Sequence, residues 1–446
     1  MNKVQIPKGA LHILSALNAG GYAAFVVGGC VRDMLLGVEP HDWDICTSAL
    51  PQEVKDALSQ SRILETGLKH GTVTVMMEDG KYEVTTFRVD GSYSDGRHPD
   101  SVTYTKSIEE DLSRRDFTIN AMAMNASGDT VIDPFHGRED LRRGVIRCVG
   151  DANARFQEDA LRILRALRFA SRLEYHIDYA TQNAMHDNRG LLYQISRERI
   201  WDELSKILMT DRGWDYLHTY SDILLECIPE LKPCIGLEQR NAWHCYNVFD
   251  HIIMSVSYAP QDLVIRTALL LHDIGKPTAM TIGEDGRGHF YGHQDISAEQ
   301  ADIILHRLKC SNQFVHDVVE LVKYHDIPIA PTPKAIRRAL NLLGQGQLKR
   351  LFLVKRADTM AQSEMAQRNK LEEIAACEEV LAKVLAEQQA FSLKDLAISG
   401  KDLIAAGMEQ GRGIGDALNR ALEAVLDGKA ANGKDALLAI ALEERL

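Results

Sequence analysis

The spacing of apolar residues along this chain changes character once, near residue 150. Before that point short apolar runs alternate with turn residues; after it, apolar positions recur at helical intervals. Residues 7 to 20 read as a helix. Ala23 to Val27 is an apolar run of the kind a buried strand shows, Gly28-Gly29 lets the backbone turn tightly, and a short helix is expected over Val31 to Leu36. The chain returns through Asp42-Trp43-Asp44-Ile45, expected as a second strand. Thr72 to Met77 and Tyr82 to Phe87 are β-rich runs joined by a hairpin signal, Glu78-Asp79-Gly80-Lys81. From Arg155 to Leu173 the residues Leu161, Leu164, Leu167 and Phe169 fall at helical spacing, which predicts one continuous helix over 156–173. The pattern stays helical and poor in proline from 174 to 235, where Pro229 and Pro233 mark a boundary. Leu371 to Gln388 reads as a charged amphipathic packing helix. The expectation is an α+β chain: a small N-terminal sheet domain (1–150), a helical neck (151–235), a second helical domain (236–365) and a helical tail (366–446).

Chemistry concentrates first around the glycine turn. Residues two apart in a strand face the same way, so Asp42 and Asp44 present two carboxylates side by side. Like charges repel unless a cation lies between them, and hard oxygen ligands suit Mg²⁺. A helix N-terminus just upstream offers backbone N–H groups to phosphate. Singly, a Gly-Gly is an ordinary turn and an Asp-x-Asp an ordinary solvated strand end. At this separation, with Arg32 and Asp33 between them, they predict a nucleoside triphosphate with its metal. Glu83 lies near the aspartates if the expected hairpin joins their sheet, and is an exposed strand residue otherwise. Arg114-Arg115 would be a surface pair in most settings; beside a triphosphate an arginine fork binds phosphate bidentately. Asp159 and Arg162, three apart on the expected helix, are neighbours on one face. That pair is either a plain ion pair or a reader of bases. An aspartate accepts from the exocyclic amine of cytosine or adenine while an arginine donates to the adjacent ring nitrogen. Arg165 continues the same broad face, whereas Arg168 falls about half a turn of angle from Asp159, so spacing alone gives it no place at the site.

A second set of chemical residues lies between 236 and 365: His251 in W-H-C-Y-N-V-F-D-H, His272-Asp273 in L-L-L-H-D-I-G-K-P, His293 in Y-G-H-Q-D, His325 in K-Y-H-D and Asp358 in K-R-A-D. Imidazole with carboxylate suits divalent transition metals or Mg²⁺. His244 competes with His251 as the first member, since H-x6-H leaves both available.

Composition narrows the setting. At 446 residues the chain has room for two to four domains. The longest apolar candidate for a membrane span, Leu263 to Leu271, is interrupted by Arg266 and ends in His272-Asp273, and M-N-K-V-Q-I-P-K has no secretory apolar region. Eight scattered cysteines without a C-x-x-C point to reduced thiols in a cytoplasm. A net charge of −12 argues against a general nucleic-acid coat and leaves a local basic track open.

The string G-G-x-V-R-D-x-x-L-G…D-x-D-I resembles the nucleotidyltransferase signature of class II tRNA nucleotidyltransferases and bacterial poly(A) polymerases, members of the DNA polymerase β superfamily. R-R-D-F-T-I-N-A-M-A (114–123) is similar to that family's second motif, D-P-F-H-G-R-E-D-L (133–141) to its third, and E-D-x-x-R within 155–173 to its base-reading motif. The resemblance spans almost the whole chain and implies a polymerase-β-like head followed by an all-α neck and tail. It implies that Asp42 and Asp44 hold Mg²⁺, that Gly29, Arg32 and Arg115 position the triphosphate, that Asp159 and Arg162 choose the base, and that Arg165 and Arg168 lie at the nucleotide. Asp95, Arg97 and Pro99 match a flexible loop that the family associates with the switch from C to A addition. The third motif couples head to neck. The ordered set H…HD…H…H…D resembles the HD phosphohydrolase domain, which implies a second divalent site (Mn, Ni or Fe) at His251, His272, Asp273, His293, His325 and Asp358, either hydrolytic or kept as an RNA-binding scaffold. The glycines and lysines after residue 398 resemble the family's tRNA-binding tail, and two helices with glycine caps would show the same glycines. The implied activity is template-independent addition of C, C and A to the tRNA 3′ end from CTP and ATP, in the cytoplasm, by a monomer or homodimer with no membrane and no DNA partner. The alternatives are an A-adding enzyme or poly(A) polymerase, a CC-only enzyme, an HD-type phosphohydrolase, and a non-enzymatic tRNA-binding factor.

Overall fold

The computed structural model describes residues 5–91, 101–386 and 391–443, so Asp95, Arg97 and Pro99 lie outside the described residues. The chain divides into two compact units, Met1–Cys227 and Ile228–Leu446, and the boundary between them falls inside the segment 151–235 expected as the neck.

The first unit is built on a seven-stranded sheet. Its strands are β1 (Ala24–Val27), β2 (Asp44–Thr47), β3 (Arg62–Gly67), β4 (Thr72–Met77), β5 (Gly80–Thr86), β6 (Ala123–Met124) and β7 (Val131–Ile132). Their spatial order is β3-β4-β5-β2-β1-β6-β7. Every neighbouring pair is antiparallel except β2 and β5, which run parallel with Asp44 opposite Glu83. The expected hairpin therefore joins the aspartates' sheet. Alternation along the strands sends side chains to two covered faces. Val26 and Ile45 pack with Val73 and Val84 beneath helix α1 (Lys8–Ala19), through its Ile13, Leu14 and Leu17. Val27, Cys46 and Phe87 face the other way, onto Ile108, Leu112 and Val149. Each fully buried aliphatic side chain contributes about 1.5–3 kcal/mol. The Gly28-Gly29 turn leads directly into α2 (Gly29–Leu36).

The helical neck departs from expectation at one place. Residues 156–173 do not form a single helix: α3 (Ala152–Glu158) ends at Asp159, whose backbone is extended (φ −149°, ψ 102°), and α4 (Leu161–Leu173) starts afresh. The cause is local. The Asp159 Oδ1 accepts the Leu161 N–H at 3.1 Å, so the aspartate caps α4 with its own side chain instead of continuing α3. Helix α5 (Arg197–Leu208) packs against α4 through Ile200, Leu204, Ile207 and Leu208, all buried.

The second unit is all helical apart from a two-stranded ribbon. Its body comprises α6 (Val248–Ser257), α7 (Leu263–Leu271), α8 (His293–Arg307), α9 (Asn312–Tyr324), α10 (Pro333–Met360, kinked at Gly344) and α11 (Glu364–Ala386). The tail, α12 (Gly400–Ala405), α13 (Arg412–Leu426) and α14 (Lys434–Leu442), has its own apolar cluster around Leu403, Ala421, Val425 and Leu437. Buried Arg337 of α10 fastens it by donating to the Leu426 carbonyl at 3.0 Å. Among the described residues no helix is long and apolar enough to cross a membrane.

Candidate active site

In the head, the ends of two strands and the middle of a third meet one helix. Val27, the last residue of β1, lies opposite Asp44, the first of β2, and Glu83 of β5 lies on the other side of Asp44. Asp42 precedes the strand rather than belonging to it; Asp42 and Asp44 are exposed while Trp43 between them is buried, so the two carboxylates share a face. Gly28 has φ +80° and ψ −130°, and a Cβ there would sit 2.9 Å from an Arg115 guanidinium nitrogen. Only glycine satisfies both demands. The N-terminal amides of α2, the Arg115 fork and three carboxylates thus border one place. The surrounding fold strips water from the Asp44 carboxylate although the residue is open at the surface, and this raises its pKa; Arg115 opposes the rise, and Glu83 and Asp42 add to it. A raised carboxylate flanked by two others is a set that a bound cation relieves, and an all-oxygen donor set fits Mg²⁺. Arg115 is itself held above its usual range: burial works against its charge, and Asp111, with Asp44 further along, outweighs burial.

The other predicted residues have definite partners. Arg32 is buried, with its guanidinium on Asp33 (2.8 Å) and Asn120 (2.7 Å) and 5.2 Å from the Phe169 ring centre, so it ties α2 to the R-R-D-F-T-I-N segment and to α4. Arg162 pairs with Glu158 at 2.7 Å and donates to the Arg114 carbonyl at 3.2 Å. Asp159, placed off the helix, pairs with Arg199 rather than Arg162. Arg165 grips buried Asp116 through two bonds of 2.8 and 2.6 Å. Burial pushes Asp116 up, but Arg165 outweighs it and the carboxyl falls to about 2. Arg168 lies over Phe169, 4.3 Å from its ring centre, and pairs with buried Glu203 of α5 at 2.7 Å. Sequence reasoning missed Arg199, Asp116 and Glu203 as partners. The one available signal was that Arg199 and Glu203 stand four apart on a helical pattern, with opposite charges on one face.

In the second unit α6 to α10 bring His251, His272, Asp273, His293, His325 and Asp358 together. Each imidazole has its Nδ1 on a backbone carbonyl: Ala361 (3.2 Å), Leu269 (2.7 Å), Phe290 (2.8 Å) and Val322 (2.7 Å) for His251, His272, His293 and His325. A carbonyl only accepts, so each Nδ1 carries the proton and each Nε2 turns its lone pair inward. Asp273 divides the ring. Its Oδ2 faces His251 (3.4 Å) and His272 (3.2 Å); its Oδ1 faces His293 (3.2 Å) and His325 (3.8 Å). Asp358 closes the first side, 2.9 Å from His251. Buried Lys276 contacts the Asp273 Oδ2 at 2.6 Å. Within each half the paired Nε2 atoms approach to 3.3 Å. Lone pairs so close, around a fully buried carboxylate with no well-directed hydrogen bond, fit divalent metal. Burial pulls the His272 pKa down while Asp273 and Asp358 raise it, and burial together with His272 lowers that of His325, so the imidazoles and Asp273 titrate as one set. His244 stands beside the ring, edge-on to His251 at 5.2 Å and bonded to Asn241, so His251 is the member that faces the cluster. A cleft of about 420 Å³, with Trp243 and Tyr291 in its wall, opens onto the cluster.

Three family patterns match successive stretches: the poly A polymerase head domain over residues 24–147, the probable RNA and SrmB-binding site of polymerase A over 174–233, and a putative tRNA nucleotidyltransferase domain 2 over 289–441. The CCA-adding enzyme of Lactobacillus delbrueckii subsp. bulgaricus is 34% identical over 437 residues, covering 96% of each chain. That of Lacticaseibacillus paracasei is 35% identical and covers 98% of this chain and 96% of its own. The fold superposes on the Bacillus stearothermophilus CCA-adding enzyme in complex with CTP with a TM-score of 0.70 at 31% identity, over 97% of this chain and 96% of that one. The Thermotoga maritima CCA-adding enzyme complexed with tRNA shares the fold at a TM-score of 0.63, with 21% identity and coverage of 99% and 96%. With its head motifs in order and relatives matched from end to end, the chain belongs to the CCA-adding enzymes, the family of tRNA nucleotidyltransferases that the motifs resemble.

Proposed function

We propose that this enzyme adds C, C and A to the 3′ end of tRNA from CTP and ATP, by Mg²⁺-dependent in-line nucleotidyl transfer at the head. The observation that carries this is the meeting of Asp42, Asp44 and Glu83 with the α2 N-terminus and Arg115. Asp42 and Asp44 hold the metal, with Glu83 beside them. Bound there, a Mg²⁺ pair supplies activation of the RNA 3′-hydroxyl and neutralises the leaving pyrophosphate. The α2 amides, led by Gly29, and the Arg115 fork orient the triphosphate. Arg32, locked on Asp33 and Asn120, keeps α2 aimed at it. Asp159 accepts from the base amine and Arg162 donates to the ring nitrogen, which selects C and A without a template. Arg165 and Arg168 hold that reading segment through Asp116 and Glu203. The CTP carried by the B. stearothermophilus relative supports the nucleotide, and eight free cysteines fit a reducing cytoplasm. The test uses tRNA transcripts ending at the discriminator base, at C and at CC, each with CTP, ATP or both. Two additions with CTP, completed to three by ATP, are expected. Addition of A alone, and only to the CC end, would make this an A-adding enzyme.

A second reading rests on the four carbonyl-anchored imidazoles around Asp273. The second unit holds divalent metal there and hydrolyses phosphate esters, independently of nucleotide transfer. Metal analysis of the purified protein and hydrolysis of bis(p-nitrophenyl) phosphate test it. An intact protein that takes up no Mn²⁺, Ni²⁺ or Fe²⁺ refutes the metal, and a loaded protein without hydrolysis leaves a structural metal only.

A further inference from the structure

We infer that Arg199, a neck residue on α5, is a positioning residue for nucleotide choice, acting through Asp159. The inference rests on the proposed base-reading role of Asp159. Its ground is geometric. Asp159 lies in a helix break, with one side-chain bond to its own segment, from the Leu161 N–H to Oδ1. A carboxylate held by one bond turns about its side-chain torsions. Arg199 removes that freedom: its two terminal nitrogens reach the two oxygens separately, Nη1 to Oδ1 at 3.4 Å and Nη2 to Oδ2 at 2.8 Å. A planar fork on a planar carboxylate fixes orientation as well as position. One turn further along α5, buried Glu203 takes Arg168 at 2.7 Å. The same helix face therefore holds an anion at the start of the reading segment and a cation near its end, with opposite charges in the matching order. Arg162 has no part in this; Glu158 and the Arg114 carbonyl hold it.

The chemistry explains why such a hold decides between bases. Cytosine and adenine present an amine donor at the position where uracil and guanine present an oxygen acceptor. An ionised carboxylate only accepts, so it rewards the first pair and repels the second. A loosened carboxylate discriminates less, and the Arg199 fork opposes that loosening.

The experiment measures kcat and KM for CTP and UTP on a transcript ending at the discriminator base, and for ATP and GTP on one ending in CC. It compares the full-length protein with Arg199→Met, Arg199→Lys, Asp159→Ala and the Arg199→Met/Asp159→Ala double variant. Arg199→Met is expected to lower the C-over-U and A-over-G ratios of kcat/KM by about tenfold or more. Arg199→Lys, which keeps the charge but loses the fork, is expected to fall between. The double variant is expected to be no less selective than Asp159→Ala alone, because Arg199 acts through that carboxylate. An equal loss for all four nucleotides marks a packing role and overturns the inference. So do unchanged ratios, a gain in selectivity, or additive relaxation in the double variant. If Arg199→Met loses its cooperative thermal unfolding, Arg199→Lys and Arg199→Gln are read by the same criteria. If Asp159→Ala itself leaves the ratios unchanged, the base-reading role fails; if it relaxes them and Arg199→Met does not, only the role of Arg199 fails.

Discussion

Each compact unit gathers side chains of the kind that could hold a divalent metal, and the two sets are built from opposite materials. In the head, the carboxylates stand at and just before the start of β2 and on the neighbouring β5, and Asp42 and Asp44 are exposed. In the second unit, imidazoles and carboxylates sit inside a helical bundle, with His251, His272 and Asp273 at most 1% exposed. The head supplies few ligands and leaves room, which suits a hard ion that shares its coordination with a substrate's phosphates. The bundle supplies more side chains and aims each imidazole through a backbone carbonyl, which suits an ion held by the protein itself. The difference teaches how orientation is achieved. A strand end fixes a side chain by register with its neighbours; a buried histidine needs a second partner on its far nitrogen.

If the two places work independently, variants should separate them. The largest effect is expected from Asp44→Ala, which should cut nucleotide addition by about a thousandfold or more while tRNA binding in a filter assay and metal content of the second unit stay unchanged. Asp42→Ala should behave alike. Next, Asp116→Ala strips Arg165 of its buried partner and should lower the stability of the first unit by about 3 kcal/mol in denaturant titration. The wild-type pair also has a pH signature. Because the folded Asp116 titrates at about 2, below its unfolded value, its stabilisation is complete above the ordinary carboxylate range and disappears as pH falls toward about 2. That part of the acid sensitivity should vanish in Asp116→Ala. On the other side of the comparison, Asp273→Asn should weaken metal binding in the second unit by about a hundredfold, read by elemental analysis after dialysis, with nucleotide addition unaltered. Loss of addition in that variant would mean the two places are not independent. The smallest effect is expected from Glu83→Gln, about a tenfold fall in addition that higher Mg²⁺ partly restores. No change would leave Asp42 and Asp44 as a sufficient pair.

The parts legible in the sequence were those written in short-range order. The β4-β5 hairpin was readable from its turn, and its arrival beside Asp44 followed one of the two outcomes foreseen for Glu83. The convergence of His251 with His293 and Asp358 was legible only through the resemblance of their order along the chain to the HD pattern, which left His244 and His251 both open. What periodicity hid was the break at Asp159. The apolar spacing of Leu161, Leu164 and Leu167 describes α4 alone, and nothing in it reports that the Asp159 side chain, just upstream, accepts the Leu161 N–H. Partners such as Arg199 for Asp159 and Asp116 for Arg165, forty and forty-nine residues apart, are set by how helices pack, which no local pattern records.

The parallel pairing of β2 with β5 also sets when the head site comes into being. The β4-β5 hairpin closes through a short local turn, an event of microseconds. Asp44 meets Glu83 only after the whole stretch between the two strands has been gathered in, and such long-range closures are the slow part of assembling a sheet. During refolding from denaturant, hairpin structure should return before nucleotide addition does. Activity then reports the long-range strand pairings of the head, and a chain leaving the ribosome carries its two aspartates well before they have a third carboxylate to face.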